Sequence, residues 1–385
     1  YSRELIRALL RIDRENKYRL YVRAPVPRDY FAPVIASEAK QSPSSNLEIA
    51  SSQKSLLAMT SANSEIRNPK SEIVSIPFPR AWTHARLSYE MLTRAPDVLW
   101  VPAHVLPLIH PRKSIVTIHD LGQFYFPDAY PLATRAYHFW STRWNARAAS
   151  HIFADSLATK NDLILFCNVA PEKISVVYPA YDAKIFQPAR DTARIEAVRE
   201  KYRVGIDYII TIGTIHPRKN YARLIKAIGK LQMANSELRR ANCKLVIVGK
   251  QGWLYKDIFS QIQSSNLQSL IFILDYVSQE DMAALLSGAR AFVFPSLHEG
   301  FGLPILEAQA CGVPVICSNT SSMPEAAGQG ALFFDPRDVN SIADGIARGL
   351  RDDALRADLV ARGFENVKRF AWEESARKVL EVIAR

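Results

Sequence analysis

The stretch Ala291 to Cys317, AFVFPSLHEGFGLPILEAQACGVPVIC, constrains the fold more than any other part of the chain. Ala291-Phe-Val-Phe-Pro295 is a short apolar run of the kind that forms a buried strand, and Val315-Ile-Cys317 is a second. Between them, Gly300 and Gly302 admit close backbone approach and Pro304 suits the first position of a helix. Gly312-Val-Pro314 ends that helix and launches the second strand. The turn therefore lies at the carboxyl edge of a parallel sheet, where open α/β sheets bind their ligands. Glu299 and Glu307 flank it. A helix N-terminus favours anionic oxygens, so a diphosphate fits between the two carboxylates, with Glu307 placed for a ribose diol and Glu299 for sugar hydroxyls. Taken alone, the same pair also reads as a helix-dipole charge and a solvated loop charge.

With these surroundings, HEGFGLPILEAQACGVPVI resembles the retaining glycosyltransferases of family 4, whose E-x7-E signature runs here from Glu299 to Glu307. The resemblance implies an α/β GT-B architecture: two Rossmann-like doubly wound domains facing across a cleft. It also implies a donor site that includes Gly300, Phe301, Gly302, Leu303 and Glu307, with Glu299 acting in catalysis.

A second constellation, Thr211-Ile-Gly-Thr-Ile-His-Pro-Arg-Lys-Asn220, ends another strand. Gly213 gives a tight exit, Asn220 is expected to cap the following helix, and Arg218 and Lys219 precede it. A departing nucleoside diphosphate gains negative charge, which Arg, Lys and backbone donors meet where no metal does. GTIHPRKN is similar to the family's second signature, which adds Gly213 and Thr214 to the donor side and Arg218 and Lys219 to the catalytic set. Many relatives carry Arg where Thr214 stands, so Arg218 is expected to replace one cation of the clamp.

A third constellation, Ile115-Val-Thr-Ile-His-Asp-Leu-Gly122, carries His119 and Asp120 out of a strand's carboxyl end towards the cleft. It resembles the family's first-domain histidine beside the donor sugar or phosphate, with Asp120 on the acceptor or sugar side. Asp155 to Asp162 reads as structural, with Ser156 capping a helix.

Short β-branched runs alternate with helical segments in the rhythm of parallel sheets flanked by helices. Strands are expected at 18–22, 72–76, 98–101, 115–118, 151–154 and 174–177, then at 208–212, 244–248, 270–274, 291–294, 314–317 and 331–334. A chain of 385 residues exceeds what one hydrophobic core supports. The expected division is 1–187 for the acceptor side, 188–369 for the nucleotide sugar, and 370–385 for a terminal helix that, by the resemblance, crosses back with Trp372 as its anchor. Tyr1 opens directly on the amphipathic helix Ser2 to Ile12, so the family's first strand and its glycine-rich turn are expected to be missing. Ser37 to Ser71 has ten serines and no glycine, and 34–75 is read as a disordered insertion.

The formal charge of +11 suits nucleic acid, anionic lipid or an anionic substrate, and no nucleic-acid reader motif accompanies it. Arg135, Arg143 and Arg147 interleave with Tyr137, Phe139, Trp140 and Trp144. Ala136, Phe139, Trp140 and Trp144 share one helical face, which favours core packing, with peripheral contact at an anionic membrane surface as the other reading. The four cysteines show neither a disulfide framework nor zinc spacing, and no apolar run reaches the roughly 20 residues of a membrane span. A cytoplasmic setting, against the inner face of the membrane, is expected.

These features favour transfer of a hexose, mannose before others, from a nucleoside diphosphate sugar to a glycan or lipid-linked acceptor in cell-surface polysaccharide synthesis. No cofactor and no metal are expected, since the chain has no D-x-D motif. A UDP-glucose-type glucosyltransferase and an inactive, binding-only relative are the alternatives. An oxidoreductase is disfavoured, because no G-x-G-x-x-G follows a strand.

Overall fold

In the computed structural model of the chain, described are residues 1–13, 15–23, 56–60, 71–78, 81–103, 105–189, 191–234, 243–252, 254, 256–264 and 267–385. Two sheets organise them. The first holds β1 (Lys17–Val22), β2 (Leu56–Thr60), β3 (Ser71–Ser75), β4 (Val98–Val101), β5 (Ser114–Ile118), β6 (His151–Ala154) and β7 (Ile174–Val176), in the order β3-β1-β2-β4-β5-β6-β7. The second holds β8 (Tyr208–Ile212), β9 (Lys244–Val248), β10 (Ile271–Leu274), β11 (Ala291–Phe294), β12 (Val315–Ser318) and β13 (Ala331–Phe334), in the order β10-β9-β8-β11-β12-β13.

Every strand pair of the second sheet is parallel. All four residues of β11 and of β12 are buried, as a sheet covered by helices on both faces requires. Strand order reverses between β8 and β11, which makes the crevice beyond their carboxyl ends the switch point of a doubly wound sheet. The sequence constellations around Arg218 and Glu299 are the two loops that leave these strands.

The first sheet departs from expectation at its centre. Residues 34–75 were read as a disordered insertion, yet Leu56–Thr60 is a strand, and Ser71–Ser75 is the strand expected at 72–76. β2 pairs antiparallel with both β1 and β4, in an otherwise parallel sheet. Leu56-Leu-Ala-Met59 is a brief apolar run among serines, too short to reveal its period, and backbone partners on both sides stabilise it as a strand. The rest of that segment, 24–55 and 61–70, lies outside the described residues.

The helix Leu132–Ala148 is a second correction. It buries Ser141, Thr142, Asn145 and Ala146, whereas Ala136 and Trp140 of the expected core stripe are exposed. Trp140 instead stacks on Trp144 at 6.4 Å, and both lie beside His84 and His110 respectively. The sheet-facing side of this helix borders a cavity, so only part of the stripe finds a core: Trp144 packs against the first-sheet core and Phe139 lies 4.4 Å from Phe124.

The helices Ser2–Ile12 and Trp372–Ala384 pack together, joined by Arg11 and Glu373 at 2.9 Å. Lys113 Nζ also donates to Ile383 O at 2.6 Å, and Trp372 is buried, with its ring edge-on to Tyr1. One core cluster runs through both sheets, from Leu5, Trp100 and Phe153 to Ile210, Phe294 and Val379. Among the described residues, no helix is long and apolar enough to cross a membrane.

Candidate active site

At the switch point, the loop after β8 turns through Pro217–Lys219 and sends Lys219 towards the loop after β11. Gly213 leaves room for the Lys219 stem, since a Cβ there would meet it at 2.9 Å. Lys219 Nζ donates to Glu299 Oε1 at 2.6 Å, both side chains nearly buried, and lies 5.2 Å over the Phe294 ring. Burial alone would raise the Glu299 pKa, but Lys219 and Arg218 together hold it below the ordinary value.

Arg218 points the other way, across to the first sheet. Its Nη1 stands 3.1 Å from Asp120 Oδ1, and that oxygen also accepts from Gly122 N at 2.8 Å. Burial opposes the charge on each partner, yet the pairing prevails: Asp120 is held well below the usual carboxylate range and Arg218 is raised. His216 caps this short turn by accepting from Arg218 N at 3.3 Å, and burial together with the two cations depresses it to about 4. It stays a neutral acceptor at pH 7.

His119 Nδ1 donates to Asp155 Oδ2 at 2.8 Å. Burial would lower the ring's pKa, but Asp155 reverses this and raises it. The second domain approaches so closely here that a Cβ on Gly300 would sit 2.0 Å from His119 O. The Thr159 hydroxyl lies 3.2 Å from both His119 O and Gly300 O, stitching the two loops.

The structure thus brings His119, Asp120, Arg218, Lys219, Glu299 and Gly300 into one cluster. Gly302 is the left-handed N-cap of the helix Leu303–Ala310, with Leu303 and Pro304 in its first turn. Glu307, four residues on, is pushed up to about 7 by burial. Thr214 is on the exposed rim. Phe301 packs its side chain inward against Tyr178 and Phe370, at 5.7 and 5.3 Å, and its backbone lines the turn. Asn220 is a correction. It adopts a left-handed conformation and makes no side-chain cap; its Nδ2 donates to Pro295 O and Pro336 O, tying the loop to the neighbouring strands.

Sequence reasoning passed over the groups that join the two halves. Ser156 does cap its helix through Thr159 N, but Asp155 also holds His119, and Asp162 accepts from His298 Nε2 at 3.1 Å and from Tyr125 OH at 2.6 Å. Glu325 places its carboxylate at the N-terminus of the helix Leu157–Cys167, accepting from Leu157 N at 2.8 Å and from Tyr178 OH at 2.7 Å. The sequence signal for these residues was their nearness to the motifs; His119 and Asp155 are 36 positions apart and Tyr125 and Asp162 are 37, whereas His298 lies 136 from Asp162, and Leu157 and Tyr178 lie 168 and 147 from Glu325.

Two family models cover most of the described fold: glycosyl transferases group 1 over residues 195–366, and glycosyltransferase family 4 over residues 57–184. The O-antigen chain mannosyltransferase B of Escherichia coli is 34% identical over 270 residues, 70% of this chain and 69% of that one. This chain belongs to the group 1 glycosyltransferases. As a glycosyltransferase it has longer relatives too: the serotype-specific mannosyltransferase WbdA of Escherichia coli is 28% identical over 71% of this chain, which spans 34% of its length. Among solved structures, Anabaena Alr3699/HepE in complex with UDP-glucose superposes with a TM-score of 0.66, covering 81% of this chain and 86% of that one. At 18% identity that likeness shows the GT-B fold alone.

Proposed function

We propose that this glycosyltransferase moves a hexosyl group, mannosyl first among candidates, from a nucleoside diphosphate sugar to a hydroxyl of a glycan or lipid-linked acceptor in cell-surface polysaccharide synthesis. One observation carries the proposal: two nearly buried cations leave the same loop at the switch point, Lys219 to Glu299 just before the glycine-bearing helix start at Gly302 and Arg218 to Asp120. Buried charges are costly unless paired, and here each is held by a carboxylate at the place where a diphosphate would otherwise sit. The names of the relatives, O-antigen and serotype-specific mannosyltransferases, favour mannose. UDP-glucose in the HepE structure keeps glucose as the second reading.

In the step itself, the bond from the acceptor oxygen to the anomeric carbon forms on the face from which the phosphate leaves, so configuration is retained. The bond from that carbon to the phosphate oxygen breaks, and the acceptor's proton passes to the leaving phosphate. Lys219, Arg218 and the N–H groups at the helix start meet the growing charge. Glu299 holds the sugar hydroxyls and Glu307 the ribose. With two cations in place, the reaction is expected to need no divalent metal. The protein is proposed to act in the cytoplasm against an anionic membrane surface, which the exposed Leu132, Tyr137 and Trp140 beside Arg135 would contact.

The test is turnover of GDP-mannose and UDP-glucose by the full chain with an excess of chelator and a mannoside acceptor. Product formation that Lys219→Ala abolishes supports the proposal and removes the binding-only alternative. No product with either donor, or full activity in Lys219→Ala, refutes it.

A further inference from the structure

Two stretches of chain pass between the sheets. One leads from β7 to the helix Thr192–Tyr202, the other from the helix Asp353–Val367 back to the helix Trp372–Ala384. Both meet the helix Ser2–Ile12 around a cavity of about 510 Å³. Glu4, Arg7 and Arg11 recur at three- and four-residue spacing, which sets them on one face of that helix, and they form one wall. Tyr181, Asp182 and Lys184 of the first crossing and Lys368, Phe370, Trp372 and Glu373 of the second form the others. No residue of the candidate active site lines it. Small-molecule sites span roughly 300–1,000 Å³ and favour the joints between domains, so both size and place suit a ligand.

The carboxylates in these walls are already answered. Glu4 holds Arg7 at 3.1 Å, Glu373 holds Arg11 at 2.9 Å, and Asp182 Oδ1 accepts from Lys184 N at 2.9 Å. The Lys184 ammonium has no ion-pair partner among the described residues, and the Arg11 guanidinium carries more N–H donors than Glu373 occupies. Ala371, Trp372 and Glu373 begin the helix Trp372–Ala384 with no side-chain cap, which brings the positive end of its dipole to the cavity wall.

Trp372 supplies the independent observation. It is only 8% exposed, and its buried indole N–H meets no acceptor among the described residues. That nitrogen can only donate, and a buried donor without a partner costs free energy that an acceptor seated beside it recovers. A lysine ammonium, a guanidinium, a helix start and an indole N–H are all donors, the set that binds the oxygens of a phosphate group. Tyr181, Phe370 and Trp372 add aromatic surface for a ring.

We infer that this cavity binds a small organic phosphate, its anionic end between Arg11, Lys184 and the helix start at Trp372, its ring against Tyr181 and Phe370. Such an occupant touches both crossings, and so holds the segments that any movement of one sheet relative to the other must bend.

Heteronuclear NMR of the tryptophan indole N–H groups in the full chain tests it, with phenyl phosphate as the probe, benzyl alcohol as its neutral counterpart, and Trp372→Phe to identify the Trp372 signal. Phenyl phosphate is expected to shift that signal saturably and benzyl alcohol to leave it in place. Arg11 and Lys184 are both exposed, so Arg11→Gln and Lys184→Gln should fold, and each is expected to weaken the probe about tenfold, the loss of one charge-assisted hydrogen bond. Lys219→Ala is expected to leave its affinity unchanged. Hydrogen exchange over 181–184 and 367–373, slowed by phenyl phosphate, reads the same site if Trp372→Phe does not fold. No saturable shift and no slowed exchange, an equal response to benzyl alcohol, or affinity unchanged in both Gln variants overturns the assignment. Loss of the response in Lys219→Ala overturns it as well, by placing the phosphate in the donor cluster.

Discussion

Substituting Glu299 by Gln should separate free nucleotide from sugar nucleotide, because the same carboxylate that is proposed to grip the sugar also holds Lys219. The pair is 2.6 Å apart, with side-chain exposures of 12% and 11%. Charges about 4 Å apart attract by about 4 kcal/mol at the effective dielectric of about 20 that describes protein sites. A diphosphate must draw Lys219 away from that attraction. In Glu299→Gln most of it is gone, but desolvation of the lysine and the remaining pull of the incoming phosphate offset the greater part, leaving about 1.4 kcal/mol, or tenfold tighter binding of GDP or UDP. A sugar nucleotide gains the same amount and loses a charged hydrogen bond to the sugar worth about 1.5–3 kcal/mol, so its affinity stays level or falls. Calorimetric titration of GDP beside GDP-mannose, and of UDP beside UDP-glucose, should show the two classes diverging by about 10- to 100-fold in the variant. Parallel shifts of both ligands, or weaker binding of the free nucleotide, would refute the idea that Glu299 holds Lys219 in reserve.

The remaining predictions concern the helix start and the contact between the sheets. Glu307 carries a pKa pushed up to about 7, so it gains a proton as pH falls through neutrality; if it accepts from the ribose, nucleotide affinity should decline from pH 8 to pH 6, and Glu307→Gln should flatten that profile in the same titration. A methyl group on Gly300 would sit 2.0 Å from His119 O, so Gly300→Ala should force the two loops apart and abolish turnover while free nucleotide still binds, as paired activity and binding assays would show. Glu325→Gln removes the charge at the start of the helix Leu157–Cys167 and weakens the bond to Tyr178; it should cost about 1–2 kcal/mol, measured as a lower urea midpoint at unchanged slope. An unchanged midpoint would place that carboxylate's contribution in solvent.

Much of this protein could be read along the chain because its main signals are local. The run Ala291 to Cys317 contains its own strand, its glycine turn, its helix and its helix stop, and each depends on neighbours within a few residues. The same holds for the Gly213 exit and for Ser156 as a helix cap. Where the outcome depended on distant neighbours, local pattern misled. Leu56–Thr60 became a strand only because β1 and β4 stand on either side to take its backbone hydrogen bonds. Of the aromatic stripe of Leu132–Ala148, Trp140 faced outward while Phe139 and Trp144 packed, because polar side chains and a cavity occupy the space beneath the helix; hydrophobic periodicity reports that a helix has two faces without saying how much of either will find a core.

The sequence by itself determined the residue types the site requires: two cations after one strand, two carboxylates around a helix start, and a histidine–aspartate pair after a third strand. Tertiary structure alone decided their partners. Lys219 closes on Glu299, Arg218 on Asp120, His119 on Asp155 and His298 on Asp162. The ionisation of Glu299, Asp120, Arg218 and His119 follows from those pairings and not from residue type, since a charge taken out of water takes its energy from whatever the fold sets within a few ångströms of it.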